Sequence, residues 1–435
     1  MKRLTLFTSC VYLLFLTLGC SVLQNSTGSS SSSSSSDPTQ ASASVSTAYD
    51  AMSNSNYTTA YTSFAAAVSA DSSNADAQFG YALLTFYNMY TNSSTLSTLS
   101  TSSLQTQAIS SPLDVLSISN AQNAVSLTSL AEQAHPALML QSISSQSLST
   151  QSLSSLTYPQ AVTIAITEIL PALDTAIAAL DSIVAASSDV HILIPSRVTG
   201  HHSDMEIDNT EIELLLSLLH AAAANLDVIV MYNLDPGSYE IHDYNDLETL
   251  LDDDRTEFGK LRSTAYPLAA KTHANSALSN LITGLNYFKN KPGDRSNDII
   301  PYSDSYASNL QLVTSNAQLA YDYLNQSTPY TFTWRGQSVQ IQFSKLFDPP
   351  ADLGDYFPNV GHVSSYYNSY SYSYVYNGVN YYYSYVSGSY YERFTFPASY
   401  DYTANGLFPN MTKSTLQAIL DQSITSTYDI QYVLE

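Results

Sequence analysis

The stretch His201-His202-Ser203-Asp204-Met205-Glu206 concentrates two imidazoles and two carboxylates in six positions. Zinc asks for three or four such donors converging on one point. Adjacent histidines leave a helix or a strand in different directions, so this spacing argues against a shared ion. A second candidate is the acidic group Asp235, Glu240, Asp243, Asp246, Glu248, Asp252, Asp253, Asp254 and Glu257. Calcium needs several oxygens around a glycine-assisted bend. The EF-hand spacing is absent, and the run reads as a solvated loop leading into a helix start, where acids complement the dipole. Lys291 to Asp298, KPGDRSND, carries a short D-x-S-x-D pattern without further ligands and reads as a helix–helix turn. His220 lies within an apolar helical pattern and reads as a hydrogen-bonded core residue. No HExxH, nucleophile elbow, phosphate-cradling glycine loop or dinucleotide fingerprint occurs. Serine is abundant, but without a positioned base it is no nucleophile. The residues specify no catalytic, metal or cofactor site, and the expectation is a non-enzymatic protein.

The totals narrow the class further. A chain of 435 residues is expected to form about two or three domains. The apolar fraction of 44% suffices for real cores, while only 12% of residues are charged. With 14 basic against 37 acidic residues the net charge is −23. That field disfavours nucleic acid and anionic headgroups, and no nucleic-acid partner is expected. Both cysteines, Cys10 and Cys20, lie within the first twenty residues, so the remainder has no disulfide and no thiolate chemistry.

Residues 1–20 read MKRLTLFTSCVYLLFLTLGC: a positive start, a short apolar stretch, then Thr17-Leu18-Gly19-Cys20. The apolar stretch is too short for a comfortable membrane span and reads as an export signal. Its ending resembles a bacterial lipoprotein signal. In that family a small residue precedes the lipidated cysteine; the usual leucine three places before it is here Thr17, with Leu16 one place earlier. The resemblance implies cleavage after residue 19, then acylation of Cys20 on its sulfur and its new amino group, palmitate being typical. Several acyl chains, at about 0.8 kcal/mol per buried CH₂, hold a protein to a membrane far more firmly than one. The implied location is the cell envelope, with the outer membrane favoured. Residues 20–45 include eight consecutive serines, Ser29 to Ser36, and read as a flexible tether.

Residues 46–325 are expected to be helical. Tyr57, Ala60, Phe64, Ala67 and Val68 recur at three- and four-residue steps, and Asp71-Ser72-Ser73-Asn74 breaks the pattern before a second helix with Phe79, Ala82, Leu83 and Phe86 on its face. This pair resembles the tetratricopeptide repeat. Ala48 and Ser55 fall where small residues belong, Tyr57, Ala60, Phe64 and Ala67 match the second helix, and Asn74-Ala75-Asp76-Ala77 matches the linker; Ser72 replaces the turn proline, Gln78 the tryptophan and Ser55 a glycine. The resemblance implies a protein-interaction scaffold, and one repeat needs stacked neighbours to bury its faces. A Ser/Thr/Leu/Gln-rich insertion occupies about 91–157, with helical spacing from Ala121 to Ala134. Pro171 is expected to kink or bound the next helix. Asp208-Asn209-Thr210 suits the cap of a helix bearing Leu215, Leu219, Ala222, Leu226 and Ile229 on one face. Further amphipathic runs lie at about 263–289 and 303–325.

In residues 326–435 the period changes to two. YTFTW, Arg335-Gly336-Gln337 and SVQIQFS read as a hairpin. Asn377-Gly378 then centres a long ribbon, pairing Tyr376 with Val379, Tyr374 with Tyr381, Tyr372 with Tyr383 and Tyr370 with Tyr385 on one face. That face either packs on the helical body, or stands exposed as a platform for a glycan or peptide through Tyr370, Tyr372, Tyr374, Tyr383 and Tyr385, or is low-complexity filler. Ser389 to Phe396 is a candidate third strand for an otherwise open edge, and a short helix is expected over about 412–422. The expected architecture is thus mainly α, an irregular tetratricopeptide-like helical array with a smaller tyrosine-rich antiparallel β region. The expected function is a membrane-anchored envelope scaffold for another envelope protein; a glycan- or peptide-binding protein is the alternative.

Overall fold

The structure is a computed structural model that describes residues 36–93, 158–187, 189–200, 202–237, 239, 250–251, 257–291, 307–325, 328–356, 364–366, 369–376, 379–386, 391–393 and 400–423. It is mainly helical, with small antiparallel two-stranded sheets. Two compact units are present among the described residues: one takes those within 36–230 and 268–324, the other those within 231–267 and 325–423. The boundary expected at 326 is thus incomplete, because 231–267 joins the C-terminal segment.

In the helical unit, α1 (Pro38–Ser53) begins inside the stretch expected to be tether. Asp37 caps it by accepting a hydrogen bond from the Gln40 N–H at 3.0 Å, and Pro38 supplies a preset φ in the first turn. Ala41, Val45 and Ala48 then line its buried face. Asn56 and Asn74 cap α2 (Tyr57–Ala70) and α3 (Ala75–Asn92) in the same way. Ser55 adopts a left-handed φ of 58°. Phe64, Ala60 and Ala67 of α2 are sealed, and the Tyr49 ring meets Phe64 edge-on at 5.4 Å. On α3 the sealed leucine is Leu84, whereas Leu83 and Phe86 are half-buried. The helix packs on two partners, α2 and α4, so its buried surface is wider than one stripe.

Helix α4 (Tyr158–Ala186) runs through Pro171 without ending. The proline lacks the N–H that would close an ordinary turn, and a π-helical turn over Ala165–Ile169 precedes it. A hairpin that sequence reading does not anticipate follows: β1 (His191–Ile194) and β2 (Met205–Asp208), flanking the short α5 (Ser196–Thr199). Ile192, Ile194 and Ile207 face the core. Helix α6 (Asn209–Met231) opens with the expected cap. The Thr210 N–H donates to the Asp208 carboxylate and the Asp208 N–H to Glu211 Oε2, a reciprocal capping box. Helices α7 (Ala265–Asn290) and α8 (Ala307–Asn325) form where the amphipathic runs predict them.

In the second unit, β3 (Tyr330–Trp334) and β4 (Gln337–Ile341) turn on two residues, not three. Arg335 and Gly336 take φ of 49° and 75°, as a twist-matched hairpin turn demands, which returns Gln337 to the ladder opposite Trp334. Val339 packs with Met411 and with Ile419 of the C-terminal helix, Lys413–Ser423. The 231–267 segment is stitched in by the Leu261 N–H to Asp352 at 2.7 Å and the Tyr232 hydroxyl to the Ala351 carbonyl at 3.2 Å. The ribbon strands β6 (Ser369–Tyr376) and β7 (Val379–Val386) pair in the register read from Asn377-Gly378. The candidate third strand does not line the ribbon: β8 (Tyr391–Arg393) pairs with β5 (Ser364–Tyr366), both outside the hairpin in sequence.

Gly80 of α3 sits where a Cβ would overlap the Phe64 ring. Gly80→Ala is expected to destabilise the helical unit by about 1–3 kcal/mol. In denaturant titrations, Gly80→Ala combined with Phe64→Leu should cost clearly less than the two single changes summed; strict additivity refutes this account of the glycine.

Candidate functional site

Of the residues singled out by type, few converge. His202 and Ser203 are exposed, and His201 lies outside the described residues. Asp204 accepts from the Ser196 N–H at 2.7 Å, closing the connection around α5. Glu206 instead meets His191, whose Nδ1 lies 2.7 Å from Oε1, while the other ring nitrogen lies 3.1 Å from Asp189. These carboxylates raise the His191 pKa, the Glu206 bond contributing most. Lys291 reaches from the end of α7 to Asp208 at 2.6 Å. Asp235 accepts from the Gly237 N–H and Glu257 pairs with Lys260; the intervening acids from Glu240 to Asp254 lie outside the described residues, as do residues 292–298 of KPGDRSND. No group of three or more metal-ligating side chains suited to an ion occurs among the described residues. Cys10, Cys20, the serine run and the 94–157 insertion also lie outside them. For Tyr370, Tyr372, Tyr374, Tyr383 and Tyr385 the backbone register is described, Tyr370 opposite Tyr385 and Tyr372 opposite Tyr383, and their side chains are not.

The chemistry-bearing residues that do converge form a seam inside the helical unit. Helix α6 carries Glu213, His220 and Asp227 at seven-residue steps, and all three are buried. On α4, Asp174 and Asp181 repeat the spacing, and α7 supplies His273. His220 Nδ1 lies 2.9 Å from His273 Nδ1, which bears out a hydrogen-bonded core histidine and identifies its partner. His273 Nε2 lies 3.6 Å from Asp174 Oδ1 and 3.9 Å from Asp227 Oδ2. That Asp227 oxygen is sealed from solvent and accepts no hydrogen bond. The seam is not legible in the sequence because the spacing of Leu215, Leu219, Ala222, Leu226 and Ile229 predicts one apolar face for α6. Leu215, Ala222, Leu226 and Ile229 are only half-buried, while Ile212, Leu216, Ala223 and Val230 join the polar trio in the core. A helix covered on several sides buries residues off its main stripe. The available signal was the heptad repeat of ionisable residues on an otherwise apolar segment.

Burial sets the protonation of the seam. It pushes the Asp227 carboxyl up to about 7, with Asp174 adding to the shift, and Glu213 likewise to about 7 with Asp181 adding. It pushes His220 down to about 4, assisted by His273, and lowers His273 against the opposing pull of Asp174. At the cap of α6, burial and the neighbouring Asp208 raise Glu211. The chemistry these buried imidazoles and carboxyls support is the binding and release of protons.

A separate feature lies at the surface. Helix α8 buries Leu310, Ala317, Ala320 and Leu324, with Leu278, Leu281 and Ile282 of α7 packed against the two alanines. Its opposite side exposes Leu312 at 54% and Leu319 at 49%, seven residues apart. Helices α4 and α6 are each long and apolar enough to cross a membrane, a property shared by buried core helices. No family model, curated protein or solved structure matches the chain.

Carboxyls raised in the folded state bind protons that the unfolded chain does not, so their cost is relieved as pH falls through about 7. The lowered histidines act oppositely, losing stability as pH falls below the ordinary imidazole value toward about 4. The melting temperature is therefore expected to rise by roughly 3–6 °C from pH 8.5 to 6.5 and then to flatten. Asp227→Asn and Glu213→Gln together should shrink that rise in calorimetry to the share contributed by the raised Glu211.

Proposed function

We propose that the chain is a lipid-anchored cell-envelope protein, acylated at Cys20 and favouring the outer membrane, whose helical unit acts as a non-enzymatic scaffold for another envelope protein. The anchor reading rests on Thr17-Leu18-Gly19-Cys20 after a short apolar stretch. The observation that carries the scaffold reading is the Leu312–Leu319 row. Helical arrays finish their end helices with a polar outer face, and α8 instead presents two half-exposed leucines one heptad apart. Such spacing is what a partner helix reads as anchor positions. The tetratricopeptide-like pattern of α2 and α3 points to the same class of function.

A second reading uses the ribbon. Its register sets three tyrosines of β6 opposite three of β7, at Tyr370–Tyr385, Tyr372–Tyr383 and Tyr374–Tyr381. Tyrosine offers large contact area at low side-chain entropy cost, which suits a glycan or peptide platform.

One experiment on the full chain in its native envelope separates these readings. Cys20→Ser is expected to move the protein from the membrane to the soluble fraction; unchanged retention defeats the anchor. A photo-crosslinking residue at Leu312 should give one discrete protein adduct. Leu312→Asp with Leu319→Asp should abolish that capture while leaving stability within about 0.5 kcal/mol, as for other exposed positions. Capture that survives this pair but is lost with Tyr372→Ser and Tyr383→Ser transfers the function to the ribbon.

A further inference from the structure

We propose that His220, His273, Asp227 and Asp174 form a proton-operated latch joining α6 to α4 and α7: one proton bridges the two imidazoles and holds the helices together, and protonation of both rings parts them. The inference stands on the seam alone, independent of what the α8 row binds.

Two ring nitrogens 2.9 Å apart require one N–H and one lone pair between them. When His273 donates through Nδ1, its Nε2 is the free basic atom, and it faces Asp174 Oδ1 at 3.6 Å and Asp227 Oδ2 at 3.9 Å. A proton arriving there is shared between the imidazole and the Asp174 carboxylate of α4, while burial favours the neutral form of the Asp227 carboxyl on α6. The His220–His273 bond is kept, and the three helices are drawn onto one charge network. Asp174 is 62% exposed at the side chain and gives the proton its route from solvent.

A further proton on the histidine pair goes to His220 Nδ1, and it removes the lone pair that accepts from His273. Two cationic rings then face each other across 2.9 Å in a buried site, an arrangement that only separation of α6 from α7 relieves. Further ionisable groups along this face are Glu213 on α6 and Asp181 on α4. Burial holds the Glu213 carboxyl neutral over the acid range, so it supplies no charge to offset the pair. The downward displacement of His220, due first to burial and then to His273, is the signature expected of this arrangement.

The test is an imidazole ¹⁵N titration of the full chain labelled at histidine, with His220→Asn and His273→Asn assigning the signals. His220 and His273 are expected to titrate in two steps separated by more than about one unit, with His220 last. Amide exchange in α6, corrected for its intrinsic pH dependence, should accelerate only across the His220 step. His220→Asn, which keeps a hydrogen-bonding amide near Nδ1 but takes no proton, should abolish that acceleration. If that variant does not fold, Asp174→Asn replaces it and should shift the His273 step downward. A single midpoint near the ordinary imidazole value, α6 exchange indifferent to the His220 step, or a His273 step unmoved by Asp174→Asn each overturns the latch.

Discussion

Desolvation of ionisable groups along one helix is the constraint on which the helical unit turns. Glu213, His220 and Asp227 enter the core because α6 lies among other helices and has little outward surface to spare. Burying an unpaired charge is far more costly than burying an unpaired amide or hydroxyl. Burial shifts the carboxyls toward the protonated form and the rings toward the neutral form, and each group lies near another that can exchange a proton with it. The folded state is thereby tied to a proton count. In a chain whose two cysteines both precede residue 21, packing and proton count together must do what disulfides do elsewhere.

The ends of α6 show how the surrounding elements carry this load. Its first turn is closed by the Asp208–Glu211 capping box, and Lys291 neutralises Asp208 from the far end of α7. Asn209 accepts from the Val190 N–H, fastening β1 to the same corner. The β1–β2 hairpin thus acts as a clasp on the helix start, and its buried isoleucines supply the apolar grip.

Periodicity revealed most of the helices, and the Asn377-Gly378 pair revealed the ribbon register residue for residue. These are local signals: side-chain period and turn chemistry act within a few residues. What escaped reading depended on distant partners. α1 was hidden because Ala, Ser and Thr between Pro38 and Ser53 carry a faint stripe, which gains meaning only with α2 packed on it. The β1–β2 hairpin was hidden because its strands are four residues each and separated by ten. The convergence of His273 with His220 spans 53 positions, and no local pattern encodes it. The same holds for the union of 231–267 with the C-terminal segment, which rests on contacts such as Leu261 to Asp352.

The wide turn at Ala165–Ile169 has a geometric consequence for α4. An α-helix advances about 100° per residue, and a π turn takes in one residue more than an α turn. Side chains after it are therefore rotated by about one residue's step from where an unbroken helix would aim them. Tyr158–Ile164 and Leu170–Ala186 thus obey two different phases of one amphipathic code. The extra residue works as a phase shifter: it lets the first segment seat Val162 and Ile164 by one rule while the second aims Asp174 toward His273 by another. Removing a single residue from that turn would close it to an ordinary α turn and leave the downstream face aimed as it is, whereas straightening the turn with all its residues kept would rotate that face out of alignment.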